Sequence, residues 1–419
     1  MSGTREWENG LNFLKHSTIV SSLSKICLAI KGRQGLISKI RTACKDSDGI
    51  IWFHAASYGE FEEARPVIEA TRRRYPEAKI LLTFFSPSGY EHLKNWNVVD
   101  WVFYLPFDTP GNARRFLDAV RPAKAIFTLG EYWEFFLKGL RKRHIDTYIM
   151  SVRIRPDSPY MKWYGWRYRH IYRTTYKAVI TQNETAADLV RKIGAPYVTN
   201  VGDARIDRVM SIAQMEWNDP IIDRWAAGEK VFVAGSTCPG GDDRLIVSMA
   251  NSNPGDRFMI IPHEPDEAQI KDIEDSLKVS HVRYSEVKNG NAAAEEAKVM
   301  IVDKVGMLSK LYRYAFAAYV GAGFTTDCPH SVIEPAAYGL PVAVGPRFYQ
   351  NPHFVELHRL GSGFSFGTEE DICRWYNRLK TDREFLQSTQ KKSADYCRQN
   401  IGATERILEI IFGDQFSSR

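Results

Sequence analysis

No stretch of this chain reaches the roughly 18 consecutive apolar residues that a membrane-spanning helix needs. Charge of one sign is scarce too. Lys plus Arg number 56 against 50 Asp plus Glu, a formal net charge of +6, and neither sign gathers into a long block. A nucleic-acid partner is therefore not the first reading, while the mild basic excess suits an acidic ligand or an anionic surface. The six cysteines form no CxxC pair and no zinc-like cluster with histidines, and they read as free thiols in a reducing cytoplasm. The first residues, MSGTREWENG, are polar. No A-x-A site follows an apolar core, so no cleavable leader is expected. The phosphate loop GxxxxGK[ST] is absent, and with it the signature of an ATP-hydrolysing enzyme.

What remains is an ordinary globular composition, 44% hydrophobic and 25% charged over 419 residues. That length supports two domains with sizeable cores. Short apolar runs alternate with helical patterns, the mark of a mostly parallel α/β architecture. Strands are expected at 49–55, 79–84, 101–104, 125–128, 147–151 and 178–181. A second series is expected at 231–235, 258–261, 299–302, 317–320 and 341–344. Between the two series the pattern resets near 208–220, giving domains 1–212 and 213–419. No internal repeat relates the halves. Two doubly wound domains would face each other across a cleft, with ligands at the carboxyl ends of their strands.

One further segment has two readings. Ile19, Val20, Leu23, Ile26, Cys27 and Ile30 recur at helical spacing among Lys15, Lys25 and Lys31. That stripe fits a helix packed on its own domain, or one lying on a membrane face.

Four constellations carry chemistry. In HAASYGEFEEARP, residues 54–66, a strand delivers His54 and a small-residue turn leads to Glu60 at a helix start. Glu60 there can serve as a general base, or simply complement the helix dipole. In STCPGGDD, residues 236–243, Ser236 and Thr237 follow a strand and can offer donors to a phosphate; an ordinary turn with a cap explains them as well. In YVGAGFTTDCPHSVIEPAAYGLPVAVGP, residues 319–346, a strand leads through a glycine turn to His330, Ser331 and a short helix bearing Glu334. Donors for phosphate followed by an acid for ribose hydroxyls resemble the nucleotide-sugar site of GT-B transferases. From Arg153 to Lys177, seven bases interleave with seven Trp and Tyr residues. Stacked bases, a membrane-interface patch or an amphipathic helix with snorkelling bases would each account for them.

Taken in order, HAASYGE, YPEAKILLTFFSPSGYE, YLPFDTPGNARRFLDAVRP, GEYW, TQNE, VGDARIDRV, AGST, VGMLSKLY and HSVIEPAAYGLPVAVGP resemble the 3-deoxy-D-manno-octulosonic acid (Kdo) transferases from about residue 30 to about 360. The resemblance implies a GT-B fold of two Rossmann-like domains, an acceptor-binding first and a donor-binding second. It implies an inverting, metal-free transfer, with no cofactor, of Kdo from CMP-Kdo to a lipid A precursor (lipid IVA) in lipopolysaccharide core assembly. The enzyme would sit peripherally on the anionic cytoplasmic side of the inner membrane. Glu60 takes the base position. Ser57, Gly59, Ser236, Thr237, His263, Gly306, His330, Ser331 and Glu334 take substrate-binding positions. Departures from the common family pattern fall at Leu129 and Pro262, where the family often has Glu and Arg, at Met307, and at Cys328-Pro329-His330-Ser331 in place of Gly-Gly-His-Asn. A different GT-B enzyme using another nucleotide sugar, and a non-catalytic sugar-nucleotide-binding protein at the membrane, are the alternative readings.

Overall fold

A computed structural model describes residues 27–130, 132–287, 295–326 and 328–413. The chain divides into two compact units. One holds the residues up to Asp207 together with those from Gly402 onward; the other is Arg208–Ile401. The first boundary falls near the expected one, inside the helix Ala204–Gln214. The last described segment departs from expectation: the division at 212/213 assigned it to the second domain, whereas 402–413 groups with the first unit. Its helix, Ala403–Phe412, buries Ile407, Leu408 and Ile411 in that unit's core. Asp207 fastens its start, accepting from Gly402 N at 2.5 Å and Thr404 N at 2.6 Å.

In the first unit seven parallel strands form one sheet. They are β1 (Ile50–Ala55), β2 (Ile80–Phe84), β3 (Trp101–Tyr104), β4 (Pro122–Thr128), β5 (Asp146–Val152), β6 (Ala178–Thr181) and β7 (Val198–Asn200), in spatial order β3-β2-β1-β4-β5-β6-β7. Every residue of β1 and β2 is buried, as expected where helices cover both faces of a parallel sheet. Side chains alternate between two cores. Trp52, Leu81 and Phe127 point to one, and Phe53, Leu82 and Ile126 to the other.

The second unit repeats the plan with β8 (Val231–Thr237), β9 (Arg257–Pro262), β10 (His281–Arg283), β11 (Val299–Ile301), β12 (Ala315–Val320), β13 (Val342–Val344) and β14 (Gly363–Ser365). Their order is β10-β11-β9-β8-β12-β13-β14, again all parallel. All eleven expected strands are present. The three that the sequence did not announce, β7, β10 and β14, are edge strands of three residues each.

Arg33 seats the first described segment on the first sheet. It donates to Phe85 O at 2.7 Å, Leu105 O at 2.9 Å and Ala29 O at 2.9 Å, and lies 4.7–4.8 Å from the ring centroids of Phe85, Tyr104 and Phe107. Phe85 and Leu105 directly follow β2 and β3, so this segment meets the sheet at its carboxyl edge. Of the apolar stripe at 19–30, the residues before Cys27 lie outside the described residues; Leu28 and Ile30 are exposed. Among the described residues no helix is long and apolar enough to cross a membrane.

Candidate functional site

Each sheet has one place where the strand order reverses: between β1 and β4 in the first, between β8 and β12 in the second. Connections leave in opposite directions there and open a crevice at the carboxyl ends. The sequence-predicted residues gather at both places.

After β1 the chain turns at Ala56-Ser57 and enters the helix Tyr58–Arg74. Ser57 caps it, its Oγ accepting from Glu60 N at 3.4 Å, and Glu60 Oε2 reaches back to Ala56 N at 2.5 Å. This is a capping box shifted by one residue. The dipole-complementing role of Glu60 is thus realised in the structure. A Cβ at Gly59 would meet nothing nearer than Ser57 Oγ at 4.0 Å, so neither packing nor backbone demands that glycine. His54 lies beneath the turn, buried, with Nδ1 at 2.9 Å from Thr83 Oγ1 and its ring edge-on to Trp133 at 5.1 Å. Burial pushes its imidazole down to about 4, with Glu60 pulling the other way. At neutral pH His54 is an uncharged packing residue. Leu129, where the family often has Glu, follows β4 in a left-handed conformation, φ 67°. Glu131 lies outside the described residues.

Sequence reasoning missed a cluster one turn along the same helix. Glu63 is buried, and the carboxyl ends of three strands converge on it. Arg153, after β5, donates to its Oε1 at 3.1 Å, and Arg205, beyond β7, lies 3.3 Å from the same oxygen. Gln182, after β6, donates to Oε2 at 2.5 Å. Arg205 is clamped in turn by buried Asp203, at 2.6–3.1 Å. The available signal was the pair of segments TQNE and VGDARIDRV, which stand in family order but had been given no role.

In the second unit Asp242 organises the crevice. It is fully buried, and its carboxylate accepts from Cys238 N at 3.0 Å, Ala322 N at 2.7 Å and Tyr319 Oη at 2.6 Å. It thereby ties the loop after β8 to the loop after β12. The backbone is strained on both sides of it, at Ser236 near the end of β8, φ 52°, and at Ala322 after β12, φ 79°. A Cβ at Gly321 would stand 2.1 Å from Ser236 O, so only glycine permits this approach. Around this knot His263 N donates to Thr237 O at 3.0 Å, and His330 N to Gly321 O at 3.1 Å. The rings of His263 and His330 stack at 3.9 Å. Burial, then His263, lowers the His330 imidazole to about 4, leaving it neutral.

Ser236, Thr237, His263 and His330 are thus brought together, with Ser331 next in the chain. Glu334 sits on the one-turn helix Ile333–Ala337, close enough to bear on Tyr312. Gly306, at φ 88°, precedes the helix Leu308–Leu311, and Leu308 and the following Tyr312 lie over Gly235. A cavity of about 740 Å³ lined by Asp243, Arg244, Asp272 and Lys278 contains none of the predicted site residues.

The basic and aromatic stretch does two different things. Tyr172 and Tyr176 are core residues, and Arg169 donates to the carbonyls of Tyr160 and Lys162 at 2.9 and 2.7 Å. Trp163 and Trp166 instead stand out, 87% and 64% exposed, with Tyr164 beside them.

Residues 29–208 match the family model described as 3-deoxy-D-manno-octulosonic-acid transferase (kdotransferase). The chain is similar to the 3-deoxy-D-manno-octulosonic acid transferase of Haemophilus influenzae, 24% identical with 88% of each chain covered. It is likewise similar to that of Aquifex aeolicus, 24% identical over 84% of this chain and 92% of the other. Among solved structures it resembles a UDP-GlcNAc 2-epimerase from Neisseria meningitidis bound to UDP-GlcNAc, with TM-score 0.60, 16% identity, and 87% and 100% of the two chains covered. It also resembles MurG of Acinetobacter baumannii, with TM-score 0.55, 12% identity, and 86% and 98% covered. At such identities these structures establish the fold alone, which is GT-B.

The buried neutral His54 makes stability fall with acid. Its folded value of about 4 lies below the unfolded 6.5, so the unfolded chain takes up the proton first. The stabilisation is complete above pH 6.5 and is lost as pH falls toward 4, by about 2 kcal/mol at pH 5. In urea unfolding of the first unit, His54→Gln should lose about 2 kcal/mol less than wild type between pH 7 and pH 5. An equal loss in both proteins would assign the acid sensitivity elsewhere.

Proposed function

We propose that this member of the Kdo transferase family moves Kdo from CMP-Kdo to a hydroxyl of a lipid A precursor, with Glu60 as the general base. The observation that carries the reading is the same in both units: the motif residues stand where the strand order reverses, the position at which α/β sheets bind ligands. In the first unit that position holds a carboxylate beside a glycine that packing does not require. In the second it holds Ser236 and Thr237, with His263 hydrogen-bonded to Thr237 and stacked on His330.

The chemistry asks for little more. A sugar hydroxyl is a poor nucleophile at neutral pH, so a base must take its proton as the new bond forms. CMP leaves as a phosphate monoester anion that donors at the second crevice can hold. Neutral His330 would contribute there as a hydrogen-bonding ring rather than as a charge. Glu334 is assigned to the ribose hydroxyls, and Gly306 and Ser331 to the donor side. Ser57 and Gly59 are assigned to the acceptor side. No metal or cofactor enters this scheme.

Docking on the anionic cytoplasmic face of the inner membrane belongs to the same reading. It is supported by the exposed Trp163, Tyr164 and Trp166 with Arg167 among them, and by exposed Leu28, Ile30 and Phe107 on the same unit. Trp and Tyr favour headgroup depth, and bases favour anionic lipid.

Two outcomes are expected. With CMP-Kdo generated in situ and a lipid A precursor, mass spectrometry should show Kdo addition. Glu60→Gln keeps an oxygen for Ala56 N–H but loses the base, and should slow transfer by roughly 100-fold or more with CMP affinity close to normal. A Glu60→Gln protein that works at the wild-type rate would remove Glu60 from the mechanism. Separately, Trp163→Ser with Trp166→Ser should weaken binding to anionic vesicles by about tenfold or more, a large buried side chain being worth ~1.5–3 kcal/mol, and added salt should weaken the remainder. Unaltered sedimentation of the double variant would place the membrane contact elsewhere.

A further inference from the structure

A buried carboxylate is a poor stability device, because an apolar side chain of similar size usually serves the fold as well. Glu63 is 1% exposed, and it draws groups from the ends of three strands. Burial pushes its carboxyl up, Asp203 adds to that, and Arg205, Arg153 and Gln182 oppose it. The two arginines it holds differ. Arg205 is held by two acids, bridging Glu63 and both oxygens of Asp203. Arg153 gives one N–H to Glu63, and its side chain is 40% exposed.

The backbone is bent to put Arg153 there. The register of β5 on β6 shifts between Ile149 and Val152. Within the shift Ser151 is buried and left-handed, at φ 57°. A bulge of this kind re-aims the side chains that follow it, and a non-glycine residue at positive φ is strain that the surroundings must hold. Glu63 lies three residues after Glu60 on one helix, so the two carboxylates share a face one turn apart.

We propose that Arg153 is an anion-binding residue of the acceptor site, gripping a phosphate or carboxylate of the sugar acceptor beside Glu60, and that Glu63 is the positioning residue that pins it. This rests on the reading of the chain as a Kdo transferase with Glu60 as base. A guanidinium tethered through one N–H keeps its other donors as a planar fork, the geometry that suits either anion.

The test compares three acceptors with the full-length protein and in situ CMP-Kdo: a phosphorylated lipid precursor, the same precursor after phosphatase, and a precursor already bearing an acidic sugar. Wild type should show a KM about ten- to a hundred-fold lower for a charged acceptor than for the uncharged one, the worth of a charge-assisted hydrogen bond. Arg153→Ala should abolish that ratio, and Arg153→Lys should restore part of it. Glu63→Gln should raise KM for charged acceptors with kcat held. A loss confined to the phosphorylated arm identifies phosphate as the partner; one confined to the acidic-sugar arm identifies carboxylate. Wild-type protein that uses charged and uncharged acceptors equally overturns the proposal without recourse to any variant, as does an Arg153→Ala protein with the wild-type ratio. Wild-type protein that transfers no Kdo to any acceptor overturns the transferase reading itself.

Discussion

Where the order of a parallel sheet reverses, the backbone groups at the strand ends lose their neighbours, and buried N–H and C=O groups must be paired by something else. Both units of this protein answer with a carboxylate. In the second, Asp242 takes two backbone N–H groups from loops that belong to different strands. In the first, Glu60 takes the N–H of Ala56 as the chain leaves β1. Hydrogen bonds to a charged acceptor are worth about 1.5–3 kcal/mol each, enough to hold Ser236 and Ala322 in conformations that side chains other than glycine avoid. The predicted site residues stand where they do because these knots put them there.

The same logic relates the two accounts of Glu60. Capping a helix and acting as a base are often treated as rival explanations for an acid in a first turn. Here the capping geometry orients the carboxylate, and orientation is what a general base requires before its proton affinity matters. Asp242 is sealed from solvent, and its carboxylate is taken up by the two loop N–H groups and the Tyr319 hydroxyl. Two of the departures from the family pattern, Leu129 and Pro262, fall at strand ends. Leu129 keeps a left-handed backbone after β4 although its side chain can accept no proton. Pro262 closes β9 at a register irregularity, just before His263.

Much of this was legible in the residues. The long buried strands announce themselves as unbroken apolar runs, and the loops after β1, β8 and β12 carry the small residues that such turns need. What was not legible has physical causes. Three residues at a sheet edge are too few to display a period, so β7, β10 and β14 had no signal. The helix Ala403–Phe412 reads as amphipathic wherever it lies, and its burial in the first unit's core, with Asp207 pairing to Gly402 N and Thr404 N, shows which unit it joins. The aromatics of 153–177 are alike in sequence, yet Tyr172 is core and Trp163 is bare, because facing is decided by the sheet beneath. Glu63 was hidden for a related reason: its partners come from residues 90 and 119 positions away, and no local pattern reports such a meeting.

The central claim is that the donor nucleotide binds where the second sheet reverses. A crystal structure of the protein with CMP tests it most directly. The account predicts CMP at the loops after β8 and β12, its phosphate by Ser236, Thr237, His263 and His330 and its ribose hydroxyls within hydrogen-bond reach of Glu334. CMP bound instead beside Asp243, Arg244 and Lys278, or at the first sheet next to Glu60, would contradict it.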